Sequence, residues 1–194
     1  MTKENVNALC IVAHPDDETI WMGGTLLKNS GKWNTIIFSL CRKYDIDRAP
    51  KFKRACGIFN AKSFMSDLED EKLNKIPLKE TIKRIKEFSG SYDKIFTHGE
   101  NGEYGHIRHR DVHNAVNRML HDKSLSCKEL YYFSYQKKGK YAYPKKKSDM
   151  FIYLNKNLFK KKKMLIQDVY GFHKNGFEDI CCRAAEAFNV RRIR

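Results

Sequence analysis

Two short polar segments hold most of the residues able to do chemistry: Ala13-His14-Pro15-Asp16-Asp17-Glu18 near the start, and Gly102-Glu103-Tyr104-Gly105-His106-Ile107-Arg108-His109 past the middle. Together they offer one divalent ion three ligands, His14, Asp17 and His109, and leave a spare carboxylate, Asp16. Hydrolytic zinc sites commonly use three such side chains and keep a fourth position for a water whose pKa falls to about 7. The chemistry implied is metal-assisted hydrolysis. His14 and Asp17 stand three apart across a turn and can converge, whereas Asp16 is directed elsewhere, placed to take a proton from water and return it to a leaving group. An isolated His-x-x-Asp is more often a loop histidine beside helix-capping aspartates. The second segment, with its own histidines, tips the balance toward a site.

The elements around the segments explain how they meet. Ala8-Leu9-Cys10-Ile11-Val12-Ala13 is a short apolar run typical of a buried strand, and Pro15 forces a turn directly after it. From Asp17 the spacing becomes helical, with Asp16, Asp17 and Glu18 where helix-start N–H groups and the dipole favour carboxylates. Tyr92 to Thr97 reads as another strand, residues 98–105 as a glycine-rich loop, and the helical pattern resumes around His109. Two parallel strands side by side would bring these corners together, with Tyr104 and His106 able to face the same cavity. Strands are expected near 8–13, 35–40, 93–97 and 129–134, and helices near 17–30, 51–60, 77–88, 109–121, 157–169 and 178–188. This alternation predicts a three-layer, Rossmann-like α/β domain with a mostly parallel sheet. The site then falls at the C-terminal ends of the strands that lead to His14 and His98, closed by loops 42–50 and 135–148, the second of these a lid.

The His-Pro-Asp-Asp-Glu corner and the later Gly-His-x-x-His corner, in this order, resemble the signatures of the PIG-L or LmbE-like family of zinc-dependent N-acetylglucosamine deacetylases. The resemblance extends over nearly the whole chain. It implies zinc held by His14, Asp17 and His109, with Asp16 as general base. It further implies that His106, in its charged form, polarises the acetyl carbonyl and that Tyr104 assists. Asp67, Arg48 and Arg54 are the implied substrate contacts. The implied reaction removes the N-acetyl group from an amino sugar of the N-acetylglucosamine type, nucleotide-, lipid- or glycoside-linked, and releases acetate. A His/Asp/His site also accepts iron(II) or cobalt(II). Arg108 departs from the family pattern, standing where Asp or Asn commonly orients the catalytic histidine.

Other residues read more plainly. His98 ends a strand beside the site, His113 fits a packing or ligand-orienting role, and His121 and His173 have no constellation around them. Gly23-Gly24 inside a helical stretch costs about 1 kcal/mol per glycine, so a neighbouring element must pack closely there. The six cysteines show no Cys-x-x-Cys spacing and read as reduced, buried thiols.

A chain of 194 residues is expected to form one domain, residues 1–194, and its 41% apolar content contains no run long enough to span a membrane. Met1 to Asn7 is polar and the following apolar stretch is brief, so a cytoplasmic location is expected. The 38 Lys and Arg against 23 Asp and Glu give a net charge of +15, concentrated around residues 137–140, 145–147 and 160–163. Such runs are most often solvated faces. They also suit a phosphate-bearing substrate or peripheral contact with an anionic membrane. Basic residues interleaved with tyrosines raise a nucleic-acid-binding alternative, but no nucleic-acid motif accompanies them, and a binding module leaves the ligand constellation unexplained. A non-catalytic sugar binder on the same fold is the third reading; Asp16 beside complete ligands speaks against it.

Overall fold

The computed structural model describes residues 6–193. In chain order, β1 (Val6–Val12) leads into α1 (Asp17–Asn29), then β2 (Trp33–Cys41), α2 (Arg48–Ile58), β3 (Ala61–Leu68) and α3 (Leu78–Ile85). β4 (Gly90–Thr97), α4 (Gly102–Gly105), α5 (Ile107–His121) and β5 (Leu125–Phe133) follow. The last third holds β6 (Tyr135–Lys138), β7 (Tyr141–Pro144), β8 (Met150–Tyr153), α6 (Lys156–Met164), α7 (Phe177–Cys181) and β9 (Ala185–Arg192). Seven strands form one sheet in the order β3-β2-β1-β4-β5-β9-β8. The first five run parallel, and β9 and β8 add antiparallel at one edge. The chain winds outward from β1 to β3, then returns to place β4 on the other side of β1, so the crevice between the ends of β1 and β4 is the topological switch point.

Strand β1 shows why the sheet is buried on both faces. Its alternate side chains Ala8, Cys10 and Val12 join a core with Ile20, Trp21, Phe52 and Leu165. Leu9 and Ile11 join a second core with Ile85, Val112, Val116 and Leu130. A period of two thus feeds two helical layers from one apolar run.

Helix α1 is broken at Met22 (φ −145°, ψ 17°), and the glycine pair begins its second half. The break frees backbone donors, which a carboxylate from the far side of the fold takes: Glu186 on β9 accepts from Gly24 N–H at 2.7 Å and from Thr25 N–H at 2.8 Å. Its charge is matched by Lys162 of α6, whose Nζ lies 2.7 Å away, both side chains fully buried. Side chains on the glycines would meet this packing, since a Cβ at Gly23 would lie 3.3 Å from Lys162 and one at Gly24 only 2.3 Å from Leu154. The close approach that the glycine pair predicts is made by α6 and the segment leading into it.

Two expectations from sequence differ from the structure. The helix expected over 178–188 stops at Cys181, and the alanine-rich stretch becomes β9. Helix propensity yields here because β5 would otherwise present an open apolar edge; β9 covers it, with Phe188 opposite Phe133. The segment expected as a loop over 135–148 forms the β6–β7 hairpin. Buried Tyr135 donates its hydroxyl to Trp21 O at 3.1 Å, so its base is a fixed wall rather than a lid.

Removing one member of the Lys162–Glu186 pair strands a buried charge. Glu186→Ala should therefore lower stability by about 3–5 kcal/mol, read as a reduced urea midpoint. Simultaneous replacement of both residues by apolar side chains of similar size should recover most of that loss.

Candidate functional site

The register of β1 against β4 pairs Ile11 with Thr97, which carries the two following corners to the same level. They are then stitched together. Thr97 Oγ1 donates to Ile11 O at 3.0 Å, and Ala13 N–H donates to His98 Nε2 at 2.9 Å. The other ring nitrogen of His98, Nδ1, lies 2.8 Å from Glu103 Oε2. His98 is thereby consumed by the scaffold.

His14, Asp17 and His109 meet at one point. His14 Nδ1 lies 3.1 Å from Asp17 Oδ2 and 3.1 Å from His109 Nε2, and His109 Nε2 lies 3.4 Å from Asp17 Oδ2. The outer bonds decide what these atoms carry. His14 Nε2–H donates to Asp70 Oδ1 at 2.9 Å, and His109 Nδ1–H donates to Glu103 Oε2 at 2.5 Å. With the imidazoles neutral, each inner nitrogen presents a lone pair, and Asp17 Oδ2 is an acceptor as well. In that neutral form three acceptors would face one another with no proton to share, at separations close to the ~3.3 Å edge of a tetrahedron with metal–ligand bonds of about 2.0–2.1 Å. The residues therefore fit a divalent ion such as zinc.

Asp17 is steered by two further bonds, Oδ2 accepting from His14 N–H at 2.8 Å and Oδ1 from Trp21 Nε1–H at 2.9 Å. Burial opposes its charge, but the surrounding histidines hold the carboxyl well below its usual range. Glu103 is the buried bracket of the second corner. Its Oε2 takes the N–H of both His98 and His109, while Oε1 accepts from Gly99 N–H at 2.8 Å. Burial alone would raise it; the two imidazoles bring it down to about 2. The backbone at Glu103 has φ 58°, a conformation costly for a side-chain-bearing residue and kept here by the bonds its carboxylate makes.

Asp16 also has positive φ, 148°, which turns its carboxylate away from that of its neighbour. Asp16 Oδ2 pairs with Arg48 Nη1 at 2.7 Å, and the Arg48 guanidinium lies 4.3 Å over the Phe172 ring. Burial and the charge of Asp17 push the Asp16 carboxyl well up, against the opposing pull of Arg48 and His14. It is a base of raised proton affinity beside the cluster.

His106 and Tyr104 line the same cavity as His14, Asp16, Asp17 and Arg48. His106 Nδ1 accepts from Arg108 N–H at 3.3 Å, which leaves Nε2–H as its donor. Burial and the nearby His109 and His14 bring its pKa down to about 4, so it is neutral at pH 7, in contrast to the charged form expected from sequence. The Arg108 departure is resolved by backbone geometry: the main-chain N–H holds the imidazole, while the buried side chain binds Asp111 at 2.8 Å and the Glu69 carboxylate at 2.5 Å. Burial keeps Tyr104 a phenol.

Two of the expected substrate contacts lie apart from this cavity. Arg54 is exposed on α2, because the helical period turns its side chain outward while Phe52 and Ala55 face the core. Asp67 sits at the exposed end of β3, 3.1 Å from Arg84. The carboxylate that reaches the cavity is Asp70, bonded to His14 and to Arg42. Asp70 was not anticipated, since a loop aspartate three residues beyond a candidate carries no signal of its own. Trp21 likewise reads as a core aromatic. His113 packs into the scaffold as expected, with Nδ1 3.0 Å from the backbone oxygen of His98.

The strand order and the His/Asp cluster at its switch point define a Rossmann-like α/β protein with a possible metal-binding group. The chain belongs to the PIG-L family, whose model, described as GlcNAc-PI de-N-acetylase, matches residues 9–120. A curated relative, an uncharacterized protein of Acanthamoeba polyphaga mimivirus, is 26% identical over 151 residues; the match covers 69% of this chain and 64% of the relative's length. Among solved structures, the N,N'-diacetylchitobiose deacetylase from Pyrococcus horikoshii superposes with a TM-score of 0.71 at 17% identity, over 98% of this chain and 85% of that one. A conserved protein from Thermus thermophilus gives 0.70 at 15% identity, over 95% and 94% of the two chains. The 4-carboxy-2-hydroxymuconate hydratase from Pseudomonas putida gives 0.68 at 14%, over 97% of each. At these identities the structural likenesses establish the fold.

The bracket at Glu103 should be measurable through the ion. Glu103→Gln should weaken zinc binding about 10–100-fold, read by competition with a chromophoric chelator, with the fold retained by circular dichroism. The same titration should depend on pH. Burial disfavours charge on His14, yet Asp17 and Asp70 push its pKa up to about 10, so without the ion its Nδ1 holds a proton. Zinc must displace that proton, and apparent affinity should rise about tenfold per pH unit between roughly 6 and 8.

Proposed function

We propose that this chain is a zinc-dependent hydrolase that removes the N-acetyl group from an N-acetylated amino sugar and releases acetate. The observation that carries the reading is the convergence of three acceptors, His14 Nδ1, Asp17 Oδ2 and His109 Nε2, at 3.1–3.4 Å beside a base of raised proton affinity. Membership of the PIG-L family supports it. So does the deacetylase named among the structural neighbours, through the fold the two chains share.

His14, Asp17 and His109 would hold the ion. When bound it supplies a lowered water pKa and Lewis-acid polarisation of the acetyl carbonyl; iron(II) or cobalt(II) suit the same donor set. Asp16 takes a proton from the attacking water, and Arg48 keeps that carboxylate in place at 2.7 Å. As the carbonyl carbon becomes tetrahedral, the neutral His106 donates Nε2–H to the developing oxyanion, its other nitrogen tied to the backbone. Asp16 then delivers its proton to the departing amine as the C–N bond breaks, yielding acetate and a free amino sugar. Tyr104, held as a phenol, borders the acetyl pocket. The role of Arg48 follows its contact: it positions the base rather than meeting the sugar.

Asp16→Asn should retain zinc and lose about 10²–10⁴ in turnover, measured as acetate released from N-acetylglucosamine and its oligomers, while His14→Ala and His109→Ala should lose zinc and activity together. His106→Ala should keep zinc and lower kcat about 10²–10³-fold. Full turnover in Asp16→Asn would sink the base assignment, and activity that survives chelation would sink the metal.

A further inference from the structure

Glu18 has no part in the chemistry above, yet three hydrogen bonds converge on its carboxylate. The side chain is fully buried and lies behind the cavity rather than on its wall. Oε2 accepts from Asp16 N–H at 3.1 Å, while Oε1 accepts from the Thr19 hydroxyl at 2.5 Å and the Tyr170 hydroxyl at 2.7 Å. Asp16 stands at the N-cap of α1, where an aspartate ordinarily turns its carboxylate back onto the free N–H groups of the first turn. In a reciprocal capping box, a first-turn glutamate also reaches back to the N-cap N–H. Only that second half is built here. Glu18 takes the Asp16 N–H, whereas the Asp16 side chain caps nothing and, at φ 148°, is directed to Arg48 and the cavity. A complete box would tie the base to its own helix.

Tyr170 reaches Glu18 from the far end of the chain. The helix that begins at Lys156 widens over Leu165–Val169, so that Tyr170 N–H bonds Leu165 O at 2.9 Å and Phe172 N–H bonds Ile166 O at 3.1 Å. Widened turns of this kind are rare and concentrate at functional sites. Between the two aromatic residues Gly171 adopts φ 77°, which glycine takes without strain, and the flanking rings go to different targets. Tyr170 is buried with its hydroxyl on Glu18; the Phe172 ring lies 4.3 Å from the Arg48 guanidinium that holds Asp16. One short segment therefore touches the base by two routes, one ending on its backbone N–H and one on its carboxylate. Neither ring lines the cavity, and both lie beyond residues 9–120, the span of the family match.

We infer that Glu18, Tyr170 and Phe172 are positioning residues for Asp16: Tyr170 acts through Glu18 on its backbone, and Phe172 acts through Arg48 on its carboxylate. The role of Asp16 rests on the proposed hydrolase reading; the hydrogen bonds that hold it do not. The zinc ligands are not part of this device, so its loss should separate turnover from metal binding.

The test compares Tyr170→Phe, Phe172→Ala, Glu18→Ala and Glu18→Gln, each alone and combined with Asp16→Asn. Tyr170→Phe and Phe172→Ala should each lower kcat for acetate release about tenfold, with KM and zinc affinity within about twofold of the unsubstituted protein. Glu18→Gln should recover most of the activity lost in Glu18→Ala, because its amide oxygen still accepts from Asp16 N–H and its NH2 can donate to the Tyr170 and Thr19 hydroxyls. Combined with Asp16→Asn, none of the four should reduce the residual turnover further. An unchanged kcat in Tyr170→Phe and Phe172→Ala, or the same tenfold loss in the Asp16→Asn background, would overturn the inference. A second readout needs no turnover: hydrogen exchange of the Asp16 amide, followed by NMR, should quicken about tenfold or more in Glu18→Ala and about threefold in Tyr170→Phe, and stay unchanged in Glu18→Gln. If the unsubstituted protein releases no acetate, the deacetylase reading falls and this exchange decides the positioning by itself; an Asp16 amide indifferent to Glu18 and Tyr170 would overturn it.

Discussion

Three lone-pair-bearing atoms, on His14, Asp17 and His109, are held within 3.4 Å of one another, and much of the surrounding structure exists to keep them there. Left alone, acceptors so close repel, and the imidazoles would turn to donate a proton into the gap. Their outer nitrogens prevent this. Asp70 fixes one ring and Glu103 the other, each by accepting the N–H that would otherwise face inward. Charge is then the missing quantity, and a divalent cation, or in its absence a proton on His14, supplies it.

Holding such a cluster costs backbone strain, and the strain is local. Asp16 and Glu103 both adopt positive φ, one directing a carboxylate away from the cluster and the other directing one beneath it. Each is compensated by bonds that only this fold provides: Arg48 for Asp16; Gly99, His98 and His109 for Glu103. The break in α1 has the same logic at longer range. The first turns of that helix set Asp17 and Trp21 toward the site, and Glu186, arriving from β9 with Lys162 behind it, closes the hydrogen bonds that the break opens. A strand added antiparallel to β5 thus supports the helix that carries Asp17.

Charge is distributed unevenly over this framework. Lys137, Lys138 and Lys140 at the hairpin tip and Lys156, Lys160 and Lys161 of α6 lie on exposed surface, whereas the loops that border the cavity are rich in carboxylates. Net charge therefore describes the molecule's long-range field and says little about the few ångströms that meet a substrate. Among the described residues no helix is long and apolar enough to cross a membrane.

The sequence by itself determined the elements whose signals are local. An apolar run ending in His-Pro-Asp-Asp-Glu reads as a strand turning into a helix, and a second strand-loop-helix pattern over 92–109 forecast two adjacent corners. The mostly parallel sheet followed from the alternation of strands and helices. What escaped the sequence depended on partners far away in the chain. Residues 185–192 have helical composition and became a strand because β5 lacked a neighbour. Asp70 and Trp21 look like a loop acid and a core aromatic until the fold places them on His14 and Asp17. Arg54 and Asp67 fell outside the cavity because helical phase and strand end, rather than residue type, decide where a side chain points. The protonation of His106 was likewise decided by tertiary structure: whether an imidazole is charged depends on what buries it and which histidines stand beside it, and those neighbours assemble only when the chain is folded.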